Sequence, residues 1–554
     1  MSGESPIPPL PLGGARDWWR TAVIYQVYVR SFADSNGDGV GDLDGVRGRL
    51  AYLRSLGVDG LWLNPFYPSP QHDHGYDVAD YRGVHPEYGT LDAFDRLIRD
   101  AHRLDLRVLV DVVPNHCSIE HPWFAEALAA GPGSPERERF HFAEGNGSEP
   151  PNNWRSIFGG SAWQQVDDGQ WYLHTFAAEQ PDFNWRHPEV VSSFEEVLRF
   201  WFDRGVDGVR IDVAHGLHKA DGLPDHEHAD LDELTGDPVN PHAWNQPEVH
   251  DVWRSWRAIA EEYTQRTGRE RVLVGEVGLL DTQQLAQYQR PDELHQTFYF
   301  EFLRAEWDDL SLYDVIDRGL QTIAGSGSSV AWVLNNHDMP RSVTRYAGGA
   351  PGAGPGDLEL GVARARAAAL LMLALPGSSY LYQGEELGLP EVTDLPEHVL
   401  TDPMFHRTGG VRRGRDGCRV PLPWTAEHDV FGFSPDGSAG TTWLPQPGWF
   451  AEHAVDRMRD DGSSMLHLYR EALALRHRIP ALAAGSGSGD FRWLPTEPGV
   501  LAFTRGDGFA CVVNCSPKPV VNPVDGPLLL ASDPEAGEKL PPNSAVWTLL
   551  EVEA

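Results

Sequence analysis

Helical patterns and short apolar runs take turns along this chain. In "DLDGVRGRLAYLRSLGVDGLWLNP" (42–65), Val46, Leu50 and Leu53 return at helical spacing, Gly57 stops the helix, and the apolar run Leu61 to Leu63 follows. "SSFEEVLRFWFDRGVDGVRIDV" (192–213) repeats the plan. Ser193 and Glu196 read as a capping box, Phe194, Val197 and Trp201 share a face, and Gly205 ends the helix before another apolar run. "LDAFDRLIRDAHRLDLRVLVDVVPNH" (91–116) is a third helix–strand unit. Further apolar runs are "AVIYQVYV" (22–29), "RVLVGEV" (271–277), "QTFYFEF" (296–302), "VAWVLNN" (330–336) and "SSYLYQG" (378–384). Continuous apolar runs mark strands buried on both faces. Eight of them with helices between predict a (β/α)₈ barrel, and no glycine-rich phosphate turn follows the first strand to suggest an open doubly wound sheet.

Two stretches break the alternation. Residues 117–185, rich in Pro, Gly, Asn and Trp with no helical period, read as an excursion after the third strand, and about 386–460 is also irregular. "SSMLHLYREALALRHRIP" predicts a helix with Leu468, Ala472, Leu475 and Ile479 on one side and Pro480 at its end. Beyond it "FRWL", "VLAFTR", "FACVVNCS" and "AVWTLLEV" read as strands. The expected domains are a barrel over 1–116 and 186–480, an insert over 117–185, and an antiparallel β-domain over 481–554.

Composition narrows the function. The 554 residues carry a formal net charge of −36, which repels phosphate backbones and anionic membranes and argues against nucleic-acid or membrane partners. "MSGESPIPPLPLGGARDWW" has no signal-peptide pattern, and no apolar run approaches the roughly 20 residues that span a bilayer. Cys117, Cys418, Cys511 and Cys515 form neither a CxxC pair nor a disulfide framework. A cytoplasmic protein is expected.

Active sites of such barrels lie at the C-terminal ends of the strands. Here those ends are polar: Asp111, Asn115 and His116 after strand three, Arg210 and Asp212 on one face at strand four, Glu276 at strand five, His337 and Asp338 at strand seven. Asp111 by itself also suits a helix cap. Asp212, Glu276 and Asp338 converging on one cup suit the cleavage of a glycosidic bond, which uses one carboxylate as nucleophile and one as proton donor. Tyr76, Trp154, Phe158, Trp163, Trp171 and Phe176 offer aromatic faces for sugar rings. No carboxylate–histidine spacing favours zinc. Separately, "DSNGDGVGDLDG" (34–45) places oxygen ligands at Asp34, Asn36, Asp38, the Val40 carbonyl and Asp42, as a calcium loop does, but has Gly45 where an EF-hand needs Glu.

These segments carry a family resemblance. "DVVPNH", "GVRIDVAHG", "GEVG" and "NNHD" resemble the four signature segments of glycoside hydrolase family 13, the α-amylase family. "QPDFNW" (180–185) and the opening "WWRTAVIYQVYVRSFADSNGDGVGDLDGV" resemble its oligo-1,6-glucosidase-like subgroup. The resemblance spans roughly 17–480 and implies a barrel, an inserted domain B after strand three and a C-terminal β-domain. It also implies a retaining exo-α-glucosidase acting on small α-glucosides such as maltose, isomaltose or sucrose.

Carried over by residue, the resemblance makes Asp212 the nucleophile, Glu276 the acid/base and Asp338 the third carboxylate. Arg210 would keep Asp212 ionised, while Glu276, with no adjacent cation in sequence, would stay protonated. His116 and His337 would bind hydroxyls. In "HDHGYD", Asp73 and Tyr76 would form the pocket floor, with Arg415 as the partner of Asp73 ahead of Arg419, and with His72 and His74 either behind these residues or at the rim. Phe158 and Phe176 would contact substrate. The resemblance further implies one structural Ca²⁺ or Mg²⁺ on the Asp34–Asp42 loop, and no organic cofactor.

Alternatives share this machinery: a transglucosidase, a sucrose isomerase or a trehalose synthase, although the "RLDRD" loop of sucrose isomerases is absent. A catalytically inactive binding subunit is the reading from another class, and the complete set of acids argues against it. Val213, after the nucleophile, leans toward α-1,6 bonds without fixing the linkage.

Overall fold

The structure, a computed structural model, describes residues 16–227, 240–324, 326–438, 440–483 and 490–550. The stretch read for a leader falls up to Ala15 outside these residues, as do Glu551 and Val552 of the last predicted strand.

Eight parallel strands close a barrel: β1 (Val23–Val27), β2 (Gly60–Leu63), β3 (Arg107–Val112), β4 (Gly208–Ile211), β5 (Val272–Gly275), β6 (Gln296–Tyr299), β7 (Ala331–Val333) and β8 (Ser378–Tyr382). Each pairs with its sequence neighbour, and β1 closes on β8 with Val23 opposite Ser379. Alternate residues point inward. Ile24, Trp62, Leu109, Val272, Val274, Phe298, Val333 and Tyr380 fill the barrel, while Val23, Tyr25, Leu61, Val110 and Val209 pack outward against the helices.

The repeated "GVDG" has a division of labour. Gly57 and Gly205 end their helices in the left-handed region, at φ 101° and 97°. Gly60 and Gly208 start strands where a side chain cannot fit, because a Cβ would lie 2.8 Å from the Arg107 carbonyl and 2.6 Å from that of Val272. Between them, Asp59 and Asp207 accept the backbone N–H groups of Val23 and Val108, donors at the start of the neighbouring strands.

The insert between β3 and β4 holds a helix, Pro122–Ala130, and a three-stranded antiparallel sheet of Phe142–Glu144, Gln170–Leu173 and Trp163–Gln165. After the barrel, helix Met465–Arg478 is capped by Ser464. A five-stranded antiparallel sheet follows and docks on helix Leu358–Ala374, where Trp547 Nε1 donates to the Leu370 carbonyl at 3.0 Å and Arg505 to that of Ala374 at 2.9 Å. The expected fold class, barrel plus C-terminal antiparallel sheet, is the one observed.

Four local expectations fail. The helix before β4 begins at Pro188, not at a Ser193 capping box: His187 caps it and Pro188 supplies a preset φ at its first position, so Ser193 lies inside. The run 296–302 is strand only to Tyr299 and turns helical over Phe300–Arg304. The insert contains a helix where no period was visible, since Pro122–Ala130 is apolar on most sides. Asp111 caps no helix; it lies inside β3 and is fully buried.

Candidate active site

Residues 210–212 continue β4 into the mouth of the barrel, so the period-two geometry places Arg210 and Asp212 on one face. Arg210 is buried and organises three carboxylates. Its Nη1 donates to Asp212 Oδ1 at 2.6 Å and to Asp111 Oδ1 at 2.9 Å, and its Nη2 donates to Glu276 Oε2 at 2.6 Å. Glu276 also accepts the Val213 N–H at 3.2 Å. To make that contact Val213 adopts φ 46°, a costly conformation for a β-branched residue.

The electrostatics differ from the sequence reading. Burial pushes the Asp212 carboxyl well above the usual carboxylate range; Arg210 opposes this, and the charges of Glu276 and Asp111 add to it. Burial likewise pushes Asp111 up to about 7 against the pull of Arg210. Arg210 therefore does not serve Asp212 alone, and Glu276 does not lack a cation. One guanidinium among three carboxylates leaves excess negative charge in a buried place, and this keeps the Asp212 and Asp111 carboxyls above the usual range.

The opposite side is built on Arg415. Its Nη2 donates to Asp73 at 2.7 Å, its Nη1 to Asp338 at 2.9 Å and its Nε to Asp402 at 2.6 Å. Burial works against the charge on Asp402, yet Arg415 and Arg419 hold it at about 2. Asp338 is also taken by Arg419 at 2.9 Å, and despite burial His337 and the two arginines hold it well below the usual carboxylate range. Arg415 stands 4.9 Å over the Phe158 ring. Asp73, Tyr76, His116, Phe158, Phe176, Asp212, Glu276, His337, Asp338 and Arg415 line one cavity.

The model for the alpha amylase catalytic domain matches residues 26–485. The chain belongs to the α-amylase family. It is 38% identical over 527 residues to a probable alpha-glucosidase of Rhizobium meliloti, covering 90% of each chain. It is 34% identical over 505 residues to a trehalose-6-phosphate hydrolase of Bacillus subtilis, covering 85% of this chain and 84% of that one. The crystal structure of an α-glucosyl transfer enzyme superposes with a TM-score of 0.83 at 35% identity, covering 96% of this chain and 99% of that one. The protein is thus a glycoside hydrolase of the α-amylase family with α-glucosidase relatives.

Within this α-amylase-family site the histidines are neutral. Burial lowers His337 well below the usual range and His116 to about 4. The Gln26 amide nitrogen lies 2.7 Å from His337 Nδ1 and donates to it, which leaves the proton on Nε2, 3.3 Å from Asp338. The Tyr76 ring stacks on His337 at 5.2 Å, and its hydroxyl donates to Asp111 at 3.0 Å. Gln180, from "QPDFNW", bridges Asp73 and His116 at 3.1 and 3.2 Å.

Several residues depart from the sequence reading. Trp154, Trp163 and Trp171 do not line the cavity; they pack with Leu173 in the core of the insert, because its small sheet has few other apolar residues to bury. Of the two histidines expected behind the floor or at the rim, His74 is buried behind it, with Arg419 donating to its Nδ1 at 3.0 Å, and His72 is exposed. Asp402, Gln26 and Gln180 were missed as supports, Arg419 was weighed only as a partner for Asp73, and Trp244, Phe300, Leu303, Arg304 and Met339 were missed as lining. Gln180 had a signal, its place in a signature-like segment.

The 34–42 loop is closed by its own side chains. Asp34 accepts the N–H groups of Asn36, Gly37 and Gly39, Asn36 that of Asp38, and Asp38 that of Val40. Asp42 caps the next helix through Gly45 and binds Ser35. Gly45 cannot be the EF-hand Glu, since a Cβ there would lie 2.0 Å from the Ala33 carbonyl. Among the described residues no group of three His, Cys, Asp or Glu side chains is gathered for a metal. The donor set is all oxygen with three carboxylates, and that chemistry fits a hard cation.

Proposed function

We propose that the protein is a retaining exo-α-glucosidase that removes terminal non-reducing glucose from short α-glucosides such as maltose, isomaltose or sucrose. The observation that carries this is Arg210 holding Asp212 on one nitrogen and Glu276 on the other, opposite a floor sealed by Asp73, Arg415 and Asp338. Asp212 attacks the anomeric carbon while Glu276 gives its proton to the leaving oxygen. Glu276 then takes a proton from the water that opens the glucosyl-enzyme. The closeness of the two carboxyls on one guanidinium suits this double displacement better than an inverting pair, which stands roughly 6.5–9.5 Å apart. Asp338 and the Nε2–H of His337 hold hydroxyls as the ring flattens, His116 holds another, and Tyr76 offers its ring face. A polysaccharide cannot thread a sealed floor, which supports action at chain ends.

Proton NMR of the first-released sugar tests the mechanism. α-Glucose is expected from an α-glucoside, and β-glucose overturns the assignment. Asp212→Asn is expected to abolish turnover, and Glu276→Gln to slow natural substrates more than those with good leaving groups.

Glucosyl transfer is the second reading. The wall of Phe300, Leu303, Met339 and Trp244 is apolar and would favour a sugar acceptor over water. Trisaccharides formed at high maltose would mark it. Val213 lines the same cavity beside Glu276, which supports a part for it in linkage choice.

The 34–42 loop is proposed to hold one Ca²⁺ or Mg²⁺ through Asp34, Asn36, Asp38, Asp42 and the Val40 carbonyl, a clasp distant from the chemistry. A cytoplasmic location is supported by the four free cysteines, three of them buried. No described helix is long and apolar enough to cross a membrane.

A further inference from the structure

Two arginines line the catalytic cavity, and they are employed differently. Arg415 is held by Asp73, Asp338 and Asp402. Among the described residues, nothing holds Arg304 in that way. Among the described residues no carboxylate, carbonyl or aromatic ring meets its guanidinium, and its Nε is buried without a hydrogen-bond partner. Glu301, one helical turn earlier, is directed to Arg318 instead, at 3.9 Å. A buried donor left unmatched is costly, so a group in this state invites a ligand.

Its position indicates which part of a ligand. Asp73, Tyr76, Phe158 and Arg415 form the floor, where the terminal glucose must sit for its anomeric carbon to face Asp212. Arg304 stands on another wall with Gly278, Phe300, Leu303 and Met339, contributed by the segments that follow β5, β6 and β7. That wall is left for the leaving group. Its other side chains are apolar, so they neither compete for an anion nor repel it. The surrounding protein has a formal net charge of −36, and an anionic substrate would need a dedicated cation to be retained. A guanidinium, with its planar fork of donors, is the side chain best matched to phosphoryl or carboxyl oxygens.

We infer that the enzyme takes α-glucosides whose leaving group bears an anionic substituent, phosphoryl or carboxyl, and that Arg304 recognises it. This rests on the glucosidase reading and adds the substrate class. The chemistry is ordinary hydrolysis. The glycosidic C–O bond breaks, the leaving oxygen gains a proton, water supplies the new hydroxyl of glucose, and the anionic ester or acid leaves intact.

The test compares kcat/KM within neutral and anionic pairs: maltose against maltose phosphorylated at C6 of its reducing glucose, trehalose against trehalose 6-phosphate, and α-glucosylglycerol against α-glucosylglycerate. We expect the anionic member of at least one pair to be preferred ten-fold or more. Arg304→Gln should lower that ratio at least ten-fold, and Arg304→Lys should retain part of it, with thermal unfolding confirming that both variants fold. A preference confined to the phosphate pairs assigns a phosphoryl group, and one confined to the carboxylate pair a carboxyl group. Equal values within every pair, or a preference that Arg304→Gln leaves intact, overturns the inference. Release of no glucose from any α-glucoside, aryl glucosides included, is the separate failure of the glucosidase reading, and the Arg304 assignment falls with it.

Discussion

Asp402 shows how much of the site depends on a residue that would never touch substrate. Its carboxylate accepts from the backbone and the Nε of Arg415 while also capping the helix Pro403–Arg407, so it fixes the guanidinium that reaches Asp73 and Asp338. Hydrogen bonds to charged groups contribute roughly 1.5–3 kcal/mol each. Asp402→Asn keeps the shape and removes the charge, and should raise KM for small α-glucosides about 10- to 100-fold with a smaller effect on kcat. Steady-state kinetics on maltose and an aryl α-glucoside check this, and an unchanged KM would free Arg415 from dependence on Asp402. The sequence gives no hint of it, because Asp402 lies in irregular chain beside Pro403, where an aspartate reads as a cap and nothing more. Arg210, Asp212, Glu276 and Asp338 were legible because each ends a strand whose apolar run is unmistakable. Their electrostatics were not, since adjacency along the chain hid that Arg210 also reaches Glu276.

At the scale of elements, the barrel was legible for a physical reason: strands buried on both faces must be apolar throughout, and helices that cover them must be apolar on one side. The small elements of the insert have neither signature, so their tryptophans passed for a rim. The 34–42 loop lies between these extremes. Its ligand spacing was visible, while the fold-back that excludes a side chain at Gly45 was not. If the loop binds an ion, Ca²⁺ at about 100 times its Kd should stabilise the protein by about 2.7 kcal/mol relative to a chelator-treated sample. Asp38→Ala, which gives up only the Val40 N–H among internal contacts, should remove that response. Identical melting with EDTA and with millimolar Ca²⁺ or Mg²⁺ would leave the loop a self-closed turn.

For the whole molecule, the buried carboxylates set a pH dependence. Burial pushes Glu385 and Glu391 up to about 7. Between about pH 4.5 and 7 the native state keeps protons that the unfolded chain has released, so this contribution is complete below about 4.5 and is lost as pH rises to 7, on the order of 3 kcal/mol for each group. Asp402, held at about 2, acts oppositely: its contribution is complete above about 4 and disappears as pH falls toward 2. Urea unfolding should therefore show stability falling from pH 5 to 8, and Glu385→Gln should flatten that slope. A slope unchanged by the substitution would place the titration elsewhere.

The bond between Asp73 and Arg415 joins residues 342 positions apart, and Asp111 and Arg210 are 99 apart. Loop closure of that length comes late, after local helix–strand units have formed. On the ribosome, the chain up to Asp212 can assemble the arginine and two of its acids, yet no sugar pocket exists until the segment around Arg415 has emerged and returned to β2. A nascent or truncated chain is consequently inert toward glycogen-like and free sugars alike, and the cell meets the activity only in molecules that have finished folding.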